Sequence, residues 1–499
     1  MSDITAAASV LLARSAGSPE LFSVRRSAEL RFFGGFHAFP GGKVHPGDAA
    51  LASAGQPLGA QQVAAVRELF EETGVLLAHD NEGHFPARGA GLATFRSQLL
   101  AGRLTFAEIL ASLHLHLRLD DLTYAGSLVT PAFTPIRFDT AFFVATLPPD
   151  QSAEVLAGEL DAGEWQSADA ILEAWTKGRW LVSPPTVSLL QTIRGRPVQE
   201  LPRRITPLLE SLAKGDIPPI WFNPGVLMLP LYSEGLPPST HTNAYLVGAD
   251  HLYLIDPGAN DPAEQQRLFD VLDRHLADTG KRLNAVVLTH QHPDHIGAAT
   301  ICAARYKTPI LGHPLTARAL AGKVDVVGSL EDGSRLELGH APNGSGSWHL
   351  QALHTPGHAS GHLCFYEPLY QLLFVGDMVS TLSSVIIAPP DGDLAVYLDS
   401  LRLLQRYPAR LLLPAHGSPS SRPALVLEEC VKHRQDRERQ LLDALGDGPR
   451  SVRELAVQMY RGLPAKVMRF AEMQVLAGLR KLENENRVRA LDEARWQRI

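Results

Sequence analysis

Cysteine is scarce in this chain of 499 residues: Cys302, Cys364 and Cys430 stand far apart and form no C-x-x-C pair. They read as small buried hydrophobes or free thiols, which fits a reducing compartment, so a cytoplasmic location is expected. No run approaches the roughly 18 apolar residues that a membrane span needs. The chain does not open on a basic segment followed by a long apolar core, so no secretory leader is expected. No internal repeat is found, and charge is not one-sided: 46 Lys and Arg face 53 Asp and Glu, a net charge of −7. What is present is ordinary soluble composition at a length too great for one core, so two large domains and something smaller are expected.

The most informative stretch is Thr289-His290-Gln291-His292-Pro293-Asp294-His295-Ile296-Gly297. Four metal-capable side chains follow the apolar run Ala285-Val286-Val287-Leu288, which reads as a short buried strand. They therefore sit where a strand ends and a turn enters the next helix, at Ala298 to Arg305. Imidazole nitrogens and a carboxylate oxygen suit zinc, iron or manganese, and no thiolate is near. A polar loop whose histidines bond only to backbone is the bland alternative. It suits a lone histidine better than it suits H-x-H-x-D-H. His358 (in Thr355-Pro356-Gly357-His358), Asp377 (in Gly376-Asp377) and His416 (in Pro414-Ala415-His416-Gly417) each follow another apolar run. One sheet edge is expected to collect them all, with Asp256 of Ile255-Asp256-Pro257-Gly258 orienting one of the ligands.

From about Asn223 to Ser420 these motifs resemble the metallo-β-lactamase-fold hydrolases, in the order that family shows. The resemblance implies that His290, His292 and His358 hold one metal ion, Asp294, His295 and His416 a second, and that Asp377 bridges them. It also implies two zinc ions and places Asp294 among the catalytic side chains. Such a pair shares an activated water and clamps the attacked oxygen.

Further upstream, Gln61 to Val75 reads as a helix stopped by Gly74, with Val63, Val66, Leu69 and Phe70 as its apolar stripe. Glu68, Glu71 and Glu72 share the opposite face. Such a face is often only solvated. Crowded hard oxygens also suit Mg²⁺ or Mn²⁺ with substrate phosphates. Arg67-Glu68-Leu69-x-Glu71-Glu72-x-Gly74-Val75 and Phe39-Pro40-Gly41-Gly42 resemble the Nudix box and its lead-in, over about Ala6 to Ile193. The resemblance implies that Glu68, Glu71 and Glu72 bind a divalent ion at a pyrophosphate, with Glu72 catalytic, and that Arg67 pins the loop-helix-loop. This sequence departs from the box in having Asp48 where a Glu is usual and in the extra residues Ala49 to Gly59. Glu159 and Glu164 are looser candidates in the same family.

Residues 194 to 224 carry six prolines and read as a linker or strap, with Trp221 and Phe222 packing down. From Pro423 the texture is helical. A long charged helix, a turn, a short helix opened by the Ser451 to Glu454 capping box, a longer helix and an alternating end together read as helix, turn, helix and wing. From Val431 onward fifteen basic residues face ten acidic ones. Arg450, Arg453, Arg461, Lys466, Arg469, Arg487 and Arg489 are its candidate contacts to an anionic substrate.

The expected architecture is α/β multidomain: a Nudix α/β/α sandwich over 1–195, a proline-rich linker over 196–224, a metallo-β-lactamase αβ/βα sandwich over 225–422 and a small winged-helix domain over 423–499. A metallo-hydrolase with a winged-helix tail resembles the lactamase-β-2-like group, which implies a ribonuclease acting on single-stranded RNA, the tail guiding the strand. Ester or thioester hydrolysis of the glyoxalase II type is the alternative, with the first half a non-catalytic binding or scaffold module. Small molecules or RNA are the expected partners, and no membrane.

Overall fold

Alternation in one strand builds the first half. In Ile4–Arg14 of the computed structural model, Val10 and Leu12 point into one apolar cluster and Leu11 and Ala13 into another. A strand buried on both faces needs cover on both. The first cluster is closed by the helix Gly59–Thr73, through Val66, Leu69 and Phe70. The second is closed by the helices Ala168–Thr176 and Pro184–Ile193. Between them the sheet runs Thr123–Val129, Arg137–Thr146, Ile4–Arg14, Glu20–Arg26, Phe36–Ala38, Leu181–Val182. Its two longest strands, Ile4–Arg14 and Arg137–Thr146, pair in parallel. The result is the α/β/α sandwich expected of a Nudix domain.

The structure describes residues 4–14, 19–31, 33–52, 58–87, 91–131, 134, 136–213, 220–233, 235, 237–446, 448–491 and 495–499. The turn at 15–18 and part of the stretch read as inserted, 53–57, lie outside the described residues, as does the Lys466 side chain. The chain forms two compact units, Met1–Pro224 and Gly225–Ile499. The stretch expected as a linker contains the helix Leu201–Ala213, whose Leu201, Ile205 and Leu209 join the second cluster of the first unit.

In the second unit one sheet runs Val226–Tyr232, His241–Val247, Leu252–Ile255, Leu283–Val287, Ile310–Gly312, Gly328–Ser329. The other runs Arg335–His340, Ser347–His354, Leu363–Glu367, Leu372–Ser380, Leu411–His416. The sheets meet where the Tyr245 hydroxyl and the Asn243 amide both donate to the Pro414 carbonyl, at 2.8 and 2.9 Å. Those bonds fix the strand end that carries His416.

The tail is the helices Pro423–Ala444, Val452–Met459 and Ala465–Asn484, with a small sheet of Arg450–Ser451, Arg495–Arg498 and Val488–Ala490. Ser451 caps the middle helix and Glu454 returns the bond, as its capping box requires. The tail has its own core, centred on Leu455, Val475, Leu479, Leu482 and Trp496. Leu427 and Ala477, however, belong to the core of the hydrolase sheet. None of the described helices is long and apolar enough to cross a membrane.

Candidate metal centre

Four histidines have one ring nitrogen committed to a partner that can only accept. His358 Nδ1 lies 2.8 Å from the Ile386 carbonyl, and His416 Nδ1 lies 2.9 Å from the His241 carbonyl. His295 Nδ1 lies 2.8 Å from Asp256 Oδ2. Thr289 donates its hydroxyl to that same carboxylate at 2.6 Å, so it accepts from His290 Nδ1 at 3.0 Å. Each of these nitrogens carries a proton, which leaves Nε2 of the neutral rings His290 and His358 as a bare lone pair.

Those lone pairs converge. His290 Nε2 and His358 Nε2 both lie 2.9 Å from His292 Nδ1, and 3.3 Å from each other. A single shared proton cannot reconcile three nitrogens, whereas one cation with bonds of roughly 2.0–2.1 Å can. Burial holds His290 well below the ordinary histidine range and His358 down at about 4, so these are neutral imidazoles. Asp294, His295 and His416 form a second set, with His416 Nε2 3.4 Å from Asp294 Oδ2.

Asp377 faces both sets. Its Oδ1 is 3.2 Å from His416 Nε2 and 3.5 Å from His295 Nε2, while its Oδ2 is 3.6 Å from His358 Nε2. Burial lowers the His416 imidazole, but Asp377 and Asp294 outweigh it and lift the ring to about 10. Protons are drawn here into the role of a cation. Despite these separations, His295 Nε2 and Asp377 Oδ1 are buried without a well-aligned hydrogen bond. Unsatisfied buried polar atoms are expensive, so this pair is the observation that the donor set fits metal.

The surroundings hold the set in place. Asp256 sits at φ +48 and accepts from Thr289 N at 2.8 Å, as well as from the hydroxyl and ring already named. His362, which the sequence reading did not single out, is fully buried and accepts Asp377 N–H on Nε2 at 3.1 Å. Its Nδ1 meets Thr355 Oγ1 at 3.0 Å. Gly376 has φ +46, and a Cβ there would lie 2.7 Å from His362 Nε2. A histidine four residues after the candidate ligand His358 was the available signal.

In the first unit Arg67 is buried and organises the acidic face. Its Nε and Nη2 bind the two oxygens of Asp48 at 2.8 and 2.9 Å, and Nη2 also donates to the Lys43 carbonyl at 2.8 Å. Nη1 meets Glu68 at 2.9 Å and Glu71 at 3.0 Å. Glu72 turns to the lead-in and accepts from Gly41 N at 2.9 Å. The three glutamates therefore share one face without converging as tightly as the histidine sets do. Burial raises Glu71, raises Glu72 well above its ordinary value and pushes Glu68 up to about 7. One guanidinium beside four carboxylates leaves negative charge uncompensated, which suits a hard divalent ion. Glu159 is mostly exposed, pairs with Arg26 at 3.5 Å and adds its negative charge near Glu68 and Glu72, whereas Glu164 is an exposed strand residue.

The tail's candidates have different partners. Arg450, Arg453 and Arg461 line an open cleft of about 620 Å³ together with Ser451 and Glu454. Arg469 stacks on Phe470, Arg487 pairs with Glu485, and Arg489 bonds Gln497.

A family model for the metallo-beta-lactamase superfamily matches residues 238–416. Models for the NUDT19 Nudix domain and the beta-lactamase associated winged helix domain match 53–193 and 451–496. The lactamase-like protein nscB of Trichophyton rubrum is 30% identical over 279 residues, 53% of this chain and 77% of that protein. The lactamase-like protein adaB of Aspergillus niger is 28% identical over 250 residues, 45% of this chain and 70% of that protein. A solved metallo-beta-lactamase family protein from Thermus thermophilus superposes with a TM-score of 0.45 at 26% identity, covering 55% of this chain and 99% of that one.

Proposed function

The chain belongs to the metallo-β-lactamase superfamily, with a Nudix domain before its hydrolase domain and a winged helix after it, and from that premise we propose a dinuclear zinc hydrolase of single-stranded RNA. The observation that carries the metal reading is the convergence of imidazole and carboxylate ligand atoms on both sides of Asp377. His290, His292 and His358 would hold one ion, Asp294, His295 and His416 the other, and Asp377 both. Two such ions supply Lewis acidity and lower the pKa of water. The chain's own part is to hold its ligands in one tautomer, through Asp256, Thr289, Ile386 and His241, and to move a proton. Asp294, with a fifth of its side chain exposed, is the more accessible carboxylate and takes that role. The arginine-lined cleft of the tail supports an extended anionic substrate.

For the first unit we propose Mg²⁺- or Mn²⁺-dependent cleavage of a nucleoside-diphosphate-linked compound, with Glu68, Glu71 and Glu72 as ligands. Glu72→Gln is expected to lower turnover by orders of magnitude, because positioning and charge neutralisation do most of the work in phosphoryl chemistry. Unchanged turnover would make this unit a binding module.

The zinc-loaded chain is tested by metal analysis and by hydrolysis of single-stranded RNA beside a thioester. Two ions per chain and RNA cleavage are expected, both lost in Asp377→Ala. Thioester cleavage without RNA cleavage would transfer the site to the glyoxalase II type of reaction. Full activity in Asp377→Ala would remove the metal assignment itself.

A further inference from the structure

The acceptor that orients His358 is the carbonyl of Ile386, in a stretch with no regular secondary structure at 384–388. A carbonyl in such a stretch does not hold its direction unaided. The neighbouring carbonyl, Val385, is gripped by two side chains from the tail. Arg434, on the Pro423–Ala444 helix, donates Nη2 to it, and Gln474, on the Ala465–Asn484 helix, donates Nε2 at 3.4 Å. The two are bonded to each other, Arg434 Nη1 to Gln474 Oε1 at 2.8 Å. The same guanidinium lies 5.2 Å from the centre of the Tyr397 ring. Tyr397 in turn donates its hydroxyl to the carbonyl of Met378, beside Asp377, at 2.7 Å. A Cβ on Gly357, beside His358, would lie 2.3 Å from Tyr397 Cα.

Arg434 is only 5% exposed, and no carboxylate pairs with it among the described residues. Burying a cation without an opposite charge is costly, and only a planar fork of several donors can bind an amide and a carbonyl at once while stacking on a ring. An apolar residue would fill the space more cheaply if packing were all that was required. We propose that Arg434 and Gln474 are positioning residues for the metal ligand His358. They fix Val385 and Ile386, and they make the winged-helix segment part of the metal centre. This inference rests on the reading of His290, His292 and His358 as metal ligands.

The test uses the full chain and measures zinc affinity by competition with a chromophoric chelator. Arg434→Lys keeps the charge but cannot fork, and Gln474→Glu keeps the acceptor for Arg434 but loses the donor to Val385. Loss of a group that orients a ligand typically costs about 10-fold to 100-fold in metal affinity. Arg434→Lys should weaken one of the two ions by that factor, Gln474→Glu by several-fold, and the other ion should be unmoved. Adding either change to His358→Ala should weaken binding no further, because the ligand they position is already gone. Wild-type affinity for both ions in both variants would overturn the proposal. So would an equal loss in the His358→Ala background, which would mark general loosening. A wild-type chain that binds no zinc would overturn the metal reading, and the positioning role with it.

Discussion

A buried guanidinium is costly unless its charge is matched, and at Arg67 the match is Asp48, itself 1% exposed. The residue that departs from the Nudix box therefore still makes the two-pronged bond that locks the loop to the helix. Asp48→Ala should destabilise the first unit by about 3–5 kcal/mol, the cost of leaving one partner of a buried pair behind. Urea unfolding followed by circular dichroism measures it, and a loss below about 1 kcal/mol would refute the pinning role. Beside it, burial lifts Glu68 to about 7, so the folded state prefers the protonated acid. That penalty is absent below the ordinary value near 4.5 and complete above 7. In chelator, stability should therefore fall as pH rises through that window, by at most about 3 kcal/mol. Glu68→Gln should flatten the fall, and melting curves from pH 4 to 8 would show it. The candidate metal set was legible because metal chemistry restricts residue type and packs such residues into short motifs, and the structure brings them together. His362 was not, since a lone histidine reads as core until its bond to Asp377 N–H is seen.

Elements were legible where a period was clean. The apolar runs before His290 and His416 are strands as expected, although the first stops at Val287, one residue short of the run, and the second continues past Leu413 to include His416. The helix Leu201–Ala213 was hidden by its prolines. Pro202 stands in the first turn, where no donor is needed, and Pro207 interrupts the middle at a cost that the burial of Leu201, Ile205 and Leu209 offsets. At the metal centre the element that matters is the bend in Leu372–Ser380. Its register shifts around Gly376, which swings Asp377 toward both ligand sets. Gly376→Ala meets both a left-handed backbone, costing roughly 1–2 kcal/mol, and the His362 ring. It should lose most bound zinc while the far-ultraviolet spectrum is kept. Full zinc occupancy in that variant would show that the bend does not aim the carboxylate.

For the whole molecule, charge is divided unevenly: the tail is basic inside a chain of net charge −7. If the arginine-lined cleft guides RNA, affinity should fall by roughly 0.7 log units per log unit of salt for each phosphate contacted. Arg453→Glu with Arg461→Glu should weaken binding and reduce that slope. An unchanged slope would remove RNA guidance from the cleft. Charge reversal is the cleaner test, because cutting the chain near Ser420 would strip Leu427 and Ala477 from the hydrolase core. The sequence placed the tail's helices but not this dependence, since Ala477 and Gln474 look like any residues on an amphipathic helix.

The seating of Ala477 in the hydrolase core also has a consequence in time. A ribosome releases the chain from its N-terminus, and the last of the proposed metal ligands, His416, is made some sixty residues before Ala477. At roughly 5–20 residues per second, the ligands exist for several seconds before the helix that completes their support. The nascent hydrolase sheet would spend that interval with an apolar flank open, so zinc capture should be among the last events of synthesis.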